Sequence, residues 1–574
     1  MRILFLTHAF NSLTQRLYAE LTARGHQVAI EYDIADSVAE EAVALFRPAL
    51  IVAPYLRRAI PESIWARHTC LIVHPGIVGD RGPSALDWAI QEGESEWGVT
   101  VLQAEAEMDA GPVWASETFP MRAAKKSSLY RVEVTEAATR AVLRAVERFA
   151  AGTFAPVPPD PADPAVRGRL RPLMRQTDRR IDWTRETSAS VLAKINAADG
   201  FPGVADTLFG EPCHLFDACA EATLHGGTPG EVIARRETAL LRATVDGAVW
   251  IGHVRRAGGI KLPAAQAFAT AVAALPEAPL PGPWSAPAAT WQDIRYEEAA
   301  DGGVGFLHFD FYNGAMSTRQ CERLRAAYEW ARARPTRVIV LMGGADYWSN
   351  GIHLNTIEAA EGDNSPADES WANINAIDDL AEAIIRTDAQ LTVAALQGNC
   401  GAGGCFLARA ADLVWARDGV LLNPHYKNMG NLFGSEYWTY LLPPRVGDDG
   451  ARAIMQNRLP MSARGGVAQG FLDACLAADP AAFRVDVARR AAELAAAPDL
   501  AARLRAKREK RAADEAAKPL AQYRAEELEH MRRNFYGFDP SYHVARYHFV
   551  HKSPQSWTPR HLAVHRDLGW RVPQ

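Results

Sequence analysis

The sequence predicts an α/β protein with two large α/β units, a small β-rich unit between them, and a helical tail. Over residues 1–150 short apolar runs alternate with amphipathic helical patterns, as in a largely parallel sheet covered by helices. Two proline-rich stretches, 156–161 and 275–287, break the pattern and read as linkers. A second strand-and-helix pattern begins near residue 293. At 574 residues the chain is too long for one core. The expected domains are 1–155, 175–275 and 290–574.

Taken in order, residues 3–7, 27–31, 50–53 and 70–73 are apolar runs of strand length, with helical patterns at 13–23 and 84–91. Residues 99–104 and 113–119 read as a hairpin, and 129–149 as one long helix. The first strand runs into His8-Ala9-Phe10-Asn11-Ser12, which contains no glycine. A dinucleotide site needs a Gly-rich turn there, so the first unit is Rossmann-like without being an NAD domain. Short alternating strands such as 239–245 and 249–253 mark the small β-rich unit. Further on, 304–309, 337–342, 391–396 and 412–416 are strands. The Ala-, Arg-, Glu- and Leu-rich stretch 480–535 is helical and reads as a packing arm or dimer surface.

Composition narrows the function. The net charge of -6 gives no general attraction to nucleic acid or anionic membrane. No apolar run is long enough to span a bilayer, and the first residues read as a strand, not a signal peptide. Seven cysteines without a CxxC pair fit neither a disulfide framework nor a metal site, so a reducing cytoplasm is expected.

Two constellations carry chemistry. The first is His74-Pro75-Gly76 at the end of a predicted strand, where open α/β sheets place their chemistry. Arg81-Gly82-Pro83-Ser84 follows, with Ser84 as a candidate helix N-cap. Then comes Glu107-Met108-Asp109-Ala110-Gly111-Pro112. The second is a pair of Gly-rich loops, Gly351-Ile352-His353-Leu354 and Gly401-Ala402-Gly403-Gly404-Cys405, each after a strand. Glycine there lets the backbone come close to a ligand. Downstream, Glu436 and Tyr440 are four apart and would share a helix face. Tyr426 is a further polar candidate, and Lys552 is a candidate for phosphate contact.

The first constellation resembles the core of methionyl-tRNA and glycinamide-ribonucleotide formyltransferases. Arg180-Ile181-Asp182-Trp183 and Gly200-Phe201-Pro202-Gly203 extend the likeness into the tRNA-type C-terminal domain, an OB-like fold. That resemblance implies a folate site with His74 and Asp109 as catalytic residues and Ile72, Arg81 and Ser84 beside the folate. Ile72 stands where the family carries an oxyanion-binding Asn. Losing one such donor costs on the order of 10²–10³ in rate. A thiol acceptor fits this loss, since its pKa near ~8.5 makes it easier to ionise than an amine.

The C-terminal half resembles the crotonase (enoyl-CoA hydratase) superfamily. The resemblance implies that the amides of Ile352 and Gly403 polarise an acyl-CoA carbonyl. The hydratase carboxylates are missing: Phe406 and Tyr426 stand in their places. Without them water addition to an enoyl bond is not expected.

The chain resembles, over essentially its full length, the HypX/HoxX family of [NiFe]-hydrogenase maturation factors. This implies N10-formyl-tetrahydrofolate and coenzyme A as cofactors, with hydrogenase maturation proteins as partners. It also implies production of the CO ligand of the hydrogenase iron. The formyl group would pass to CoA, and formyl-CoA would break down with Glu436, Tyr440 or Tyr426 moving the proton. Two alternatives stay open: formylation of an amine beside an inert second half, and a non-catalytic folate- and CoA-binding scaffold.

Overall fold

The computed structural model describes residues 1–280 and 290–566. The linker expected at 275–287 lies partly outside the described residues.

The first sheet has the order β2-β1-β3-β4-β5-β6. Its strands are β1 (Arg2–Thr7), β2 (Gln27–Tyr32), β3 (Leu50–Ala53), β4 (Cys70–His74), β5 (Glu96–Gln103) and β6 (Val113–Pro120). The first four are mutually parallel, and β5 and β6 form the expected hairpin. Both faces are apolar: Ile3, Phe5 and Val52 pack under one helix layer, Leu4, Leu6 and Ile51 under the other. The long helix is bipartite. It starts at Lys126, passes through a π-helical stretch, Tyr130–Val134, and continues to Ala151. π-Stretches are frequent near functional sites, and this one faces the third domain.

The second sheet runs β7-β8-β11-β10-β9, with β12 on β11. These are β7 (Val204–Leu208), β8 (Glu211–Glu221), β9 (Val232–Arg236), β10 (Ala239–Ala243), β11 (Ala248–Arg256) and β12 (Lys261–Pro263). All pairings are antiparallel.

The third domain has a six-stranded sheet, β13 (Ile294–Glu298), β14 (Val304–Phe309), β15 (Val338–Leu341), β17 (Leu391–Leu396), β19 (Leu413–Arg417) and β22 (Ala474–Leu476). Stacked on it is a small sheet of β16 (Tyr347–Ser349), β18 (Asn399–Gly401), β20 (Leu421–Asn423) and β21 (Met461–Ser462). The helical tail comprises Pro480–Ala496, Leu500–Ala517, Leu520–Tyr536 and Ser541–Val550. The chain then returns to the first domain. The Ile30 amide bonds the Leu562 carbonyl at 3.0 Å, and buried Glu31 accepts from His565 and Arg566.

Among the described residues no helix is long and apolar enough to cross a membrane.

Candidate active sites

His74 ends β4 opposite Thr100 of β5 and is buried. The following turn is fixed from behind. Trp97 Nε1 donates to the Pro75 carbonyl and Thr100 Oγ1 to the Gly76 carbonyl, both at 2.9 Å. Asp109 sits in a left-handed turn (φ 56°) and accepts from the Gly82 amide at 3.2 Å. Its Oδ2 lies 3.6 Å from His74 Nδ1, within ion-pair range but beyond a hydrogen bond. The closer carboxylate is one the sequence reading passed over. Asp80 Oδ2 is 3.0 Å from His74 Nε2.

Ile72, two residues before His74 on the same strand, packs against the apolar cluster that includes Leu4, Ile51 and Cys70. It therefore contributes apolar surface and no donor. Arg81 pairs with Glu107, on the loop that carries Asp109. Ser84 precedes the helix Ala85–Gln91, but its side chain makes no cap bond. It accepts instead from the Met174 amide at 3.1 Å, because the first linker folds back along this loop. The expected N-cap role is thus corrected.

In the third domain, β16 and β18 are parallel neighbours, with Ser349 opposite Cys400. Both Gly-rich loops therefore leave the same sheet edge and meet. A Cβ on Gly351 would lie 3.2 Å from the Gly403 amide nitrogen. Among the described residues, neither the Ile352 nor the Gly403 amide has a hydrogen-bond acceptor.

The acid facing this pair is Glu436. A Cβ on Gly403 would lie 2.6 Å from Glu436 Cδ, with Oε1 the nearer oxygen. Glu436 and Tyr437 both adopt left-handed backbone (φ 59° and 61°), so the expected shared helix face with Tyr440 does not exist. The helix begins only at Trp438, and Tyr440 Oη donates to Asp514 at 2.7 Å, away from the loops. Tyr426 takes its place: its Oη donates to Glu436 Oε2 at 2.5 Å while its ring stacks on Phe406.

Two further buried carboxyls hold the strained segment. Asp378 accepts from the Glu436 amide at 2.8 Å and from Ser435 Oγ at 2.7 Å. Glu527, from the helical tail, accepts from the amides of Tyr437 and Thr439. Strained backbone over-determined in this way clusters at functional sites. Burial raises all three acids, the neighbouring carboxylates adding to it. Asp378 rises to about 6 and Glu527 to about 8, while Glu436 is pushed well above the carboxylate range. Burial and the neighbouring carboxylates thus favour the protonated form of Glu436. Its Oε2 accepts from Tyr426, which leaves Oε1 facing Gly403.

Polar contacts form a seam between the domains. Asn423 Nδ2 donates to Gln15 of the first domain at 3.1 Å. Arg131, on the π-helical stretch, bonds Asn313 at 2.8 Å and pairs with Asp346 at 3.3 Å. In the small domain, His253 Nδ1 lies 2.8 Å from Asp217, which also takes Lys125, and Tyr312 stacks on the His253 ring. Lys552 is exposed, with Nζ 4.1 Å from the Phe549 ring centroid. Among the described residues no His, Cys, Asp and Glu cluster is arranged to hold a metal.

The sequence reading missed Asp80, Asp378 and Glu527. Asp80 was within reach, being the residue before the noted Arg81. Glu527 gave no signal, since a glutamate in a charged helix reads as solvated.

These features define a formyltransferase-like pair of domains joined to a crotonase-like domain. The formyl transferase family matches residues 1–146, its C-terminal domain family residues 173–271, and the enoyl-CoA hydratase/isomerase family residues 308–560. Methionyl-tRNA formyltransferase of Roseiflexus castenholzii is 30% identical over 194 residues, 34% of this chain and 60% of that protein. Hydrogenase maturation factor HoxX of Bradyrhizobium diazoefficiens is 56% identical over 568 residues, 99% of this chain and 97% of that one. The crystal structure of HypX from Aquifex aeolicus with tetrahydrofolic acid superposes with a TM-score of 0.95 at 48% identity, each chain covered completely. The chain belongs to the HypX/HoxX family of hydrogenase maturation factors.

Proposed function

We propose that this protein makes carbon monoxide for the [NiFe]-hydrogenase iron from N10-formyl-tetrahydrofolate, with formyl-CoA as the internal intermediate. Support for the first half comes from the tetrahydrofolate bound by the Aquifex aeolicus relative and from His74 and Asp109 at the strand end. Ile72, Arg81 and Ser84 would border the folate. The absent Asn favours a thiol acceptor over an amine. The CoA thiol loses its proton as its sulfur attacks the formyl carbon, and N10 of the leaving tetrahydrofolate takes a proton.

The single observation that carries the second half is the buried Glu436 carboxyl, held by Tyr426, against Gly403. Formyl-CoA has no α-carbon, so the usual crotonase enolate cannot form. The Ile352 and Gly403 amides would donate to the formyl oxygen, and the Glu436 carboxyl would give its proton to sulfur as the C–S electron pair leaves. The formyl C–H proton then returns to the Glu436 carboxylate, releasing CO and CoA. Tyr426 holds that carboxyl in place. Lys552 would meet CoA phosphate, and the pantetheine arm would swing along the polar seam. Docking to hydrogenase maturation proteins in the cytoplasm completes the reading.

Formyl-labelled ¹³C-N10-formyl-tetrahydrofolate and CoA, with reduced haemoglobin as gas trap, provide the test. Labelled carbonyl-haemoglobin is expected from the native protein, none from His74→Ala. Formate or formyl-CoA as the only labelled product of the native protein would overturn the proposal.

A further inference from the structure

We infer that Asp80, locked by Arg171, is the positioning residue for His74, and that the working nitrogen of His74 is Nδ1. Asp80 is buried, and its Oδ1 lies 3.1 Å from Arg171 Nε, an ion pair by distance whose geometry falls short of a hydrogen bond. Arg171 is itself buried, its guanidinium 5.2 Å from the Trp97 ring centroid and its Nη1 2.5 Å from Glu92. The paired Asp80 is therefore an ionised acceptor, and His74 Nε2 must carry the hydrogen it receives. The neutral ring then has its lone pair on Nδ1, the side facing Asp109. This is the arrangement of a general base oriented by a carboxylate, not of an imidazole donating to an oxyanion.

The chain is built around the dyad. A Cβ on Gly76 would fall 2.5 Å from His74 Nε2 and 2.6 Å from Asp80 Oδ2, wedging them apart. The linker residue Gly168 lies against the Asp80 amide with no room for a Cβ, and the Arg171 amide bonds the Arg81 carbonyl at 2.9 Å. The linker between the first two domains thus delivers Arg171 to the first site. On the formyl-transfer reading above, Nδ1 removes the thiol proton as the C–S bond forms. The same proton passes to N10 as the C–N10 bond breaks, so donor, acceptor and base balance with no further reactant.

The test is ¹⁵N NMR of ring-labelled histidine in the full chain, beside formyl transfer and tetrahydrofolate binding. The expected native signature for His74 is the Nε2–H tautomer. Asp80→Asn and Gly76→Ala should both lose that tautomer and slow transfer on the order of 10²–10⁴-fold, as a wrong tautomer does. Tetrahydrofolate should still bind, and Asp80→Glu should restore part of the rate and the acidic limb of the pH profile. A native Nδ1–H tautomer, or an Asp80→Asn protein with unchanged tautomer and rate, would overturn the assignment. The tautomer does not depend on the acceptor, so a failed CoA reading would leave this result standing.

Discussion

Around His74, the carboxylates Asp80 and Asp109 are met by the imidazole and by Arg171. Around Glu436, three buried carboxyls have Arg524 at 3.8 Å from Asp378 as their nearby cation. The first arrangement sets an imidazole between two carboxylates, one of them paired with Arg171. In the second, burial and mutual repulsion raise all three acids above the usual carboxylate range. Burial alone does not set a group's role; the sign of its neighbours does.

The comparison is broken most severely at Glu436. Glu436→Gln keeps the shape and removes the transferable proton. Carbon monoxide release should fall on the order of 10²–10³-fold, with formyl-CoA accumulating at an unchanged first-step rate. Chromatography of the labelled thioester checks this; an equal loss of both products would tie Glu436 to the first site instead. Gly403→Ala pushes a methyl into the same carboxyl. It should slow the second step roughly 10²-fold while sparing folate binding, as read by the same assay and by ligand fluorescence.

A subtler break uses pH. Glu527 holds its proton to about 8 in the fold, whereas an unfolded glutamate releases it near ~4.3. Between those values the folded state binds more protons, so its stability falls as pH rises, by at most about 1.4 kcal/mol per unit. Urea midpoints at pH 5 and pH 8 should diverge in the native protein and diverge less in Glu527→Gln. Parallel behaviour of the two proteins would remove Glu527 from the acid cluster. The smallest effect is expected at exposed Lys552. Lys552→Ala should raise the CoA half-saturation about two- to fivefold, the worth of one surface ion contact.

Much of the architecture was readable from the chain. Apolar runs at 304–309 and 391–396 coincide with β14 and β17, and the 99–104 and 113–119 segments form the expected hairpin. His74 and the two Gly-rich loops were legible because strand ends and glycines have local causes. The partners of Glu436 were not. Its nearest sequence neighbour of interest, Tyr440, is turned away by two consecutive left-handed residues, and nothing in Gly434-Ser435-Glu436-Tyr437 announces them. Those conformations are imposed by Asp378 and Glu527, residues 58 and 91 positions from Glu436 along the chain in opposite directions. A Glu–Tyr pair was foreseen; which tyrosine it uses is a tertiary fact.

The return of residues 558–566 to β2 also sets an order of events during synthesis. Glu31 and the Ile30 amide gain their partners only when Leu562, His565 and Arg566 have been made, more than five hundred residues later. While the ribosome is still translating the third domain, the first domain carries a buried acid without its cations and a sheet edge without its cover. Completion of that domain therefore waits on nearly the whole polypeptide. A nascent chain that stops short of residue 558 leaves Glu31 buried without Thr558, His565 or Arg566.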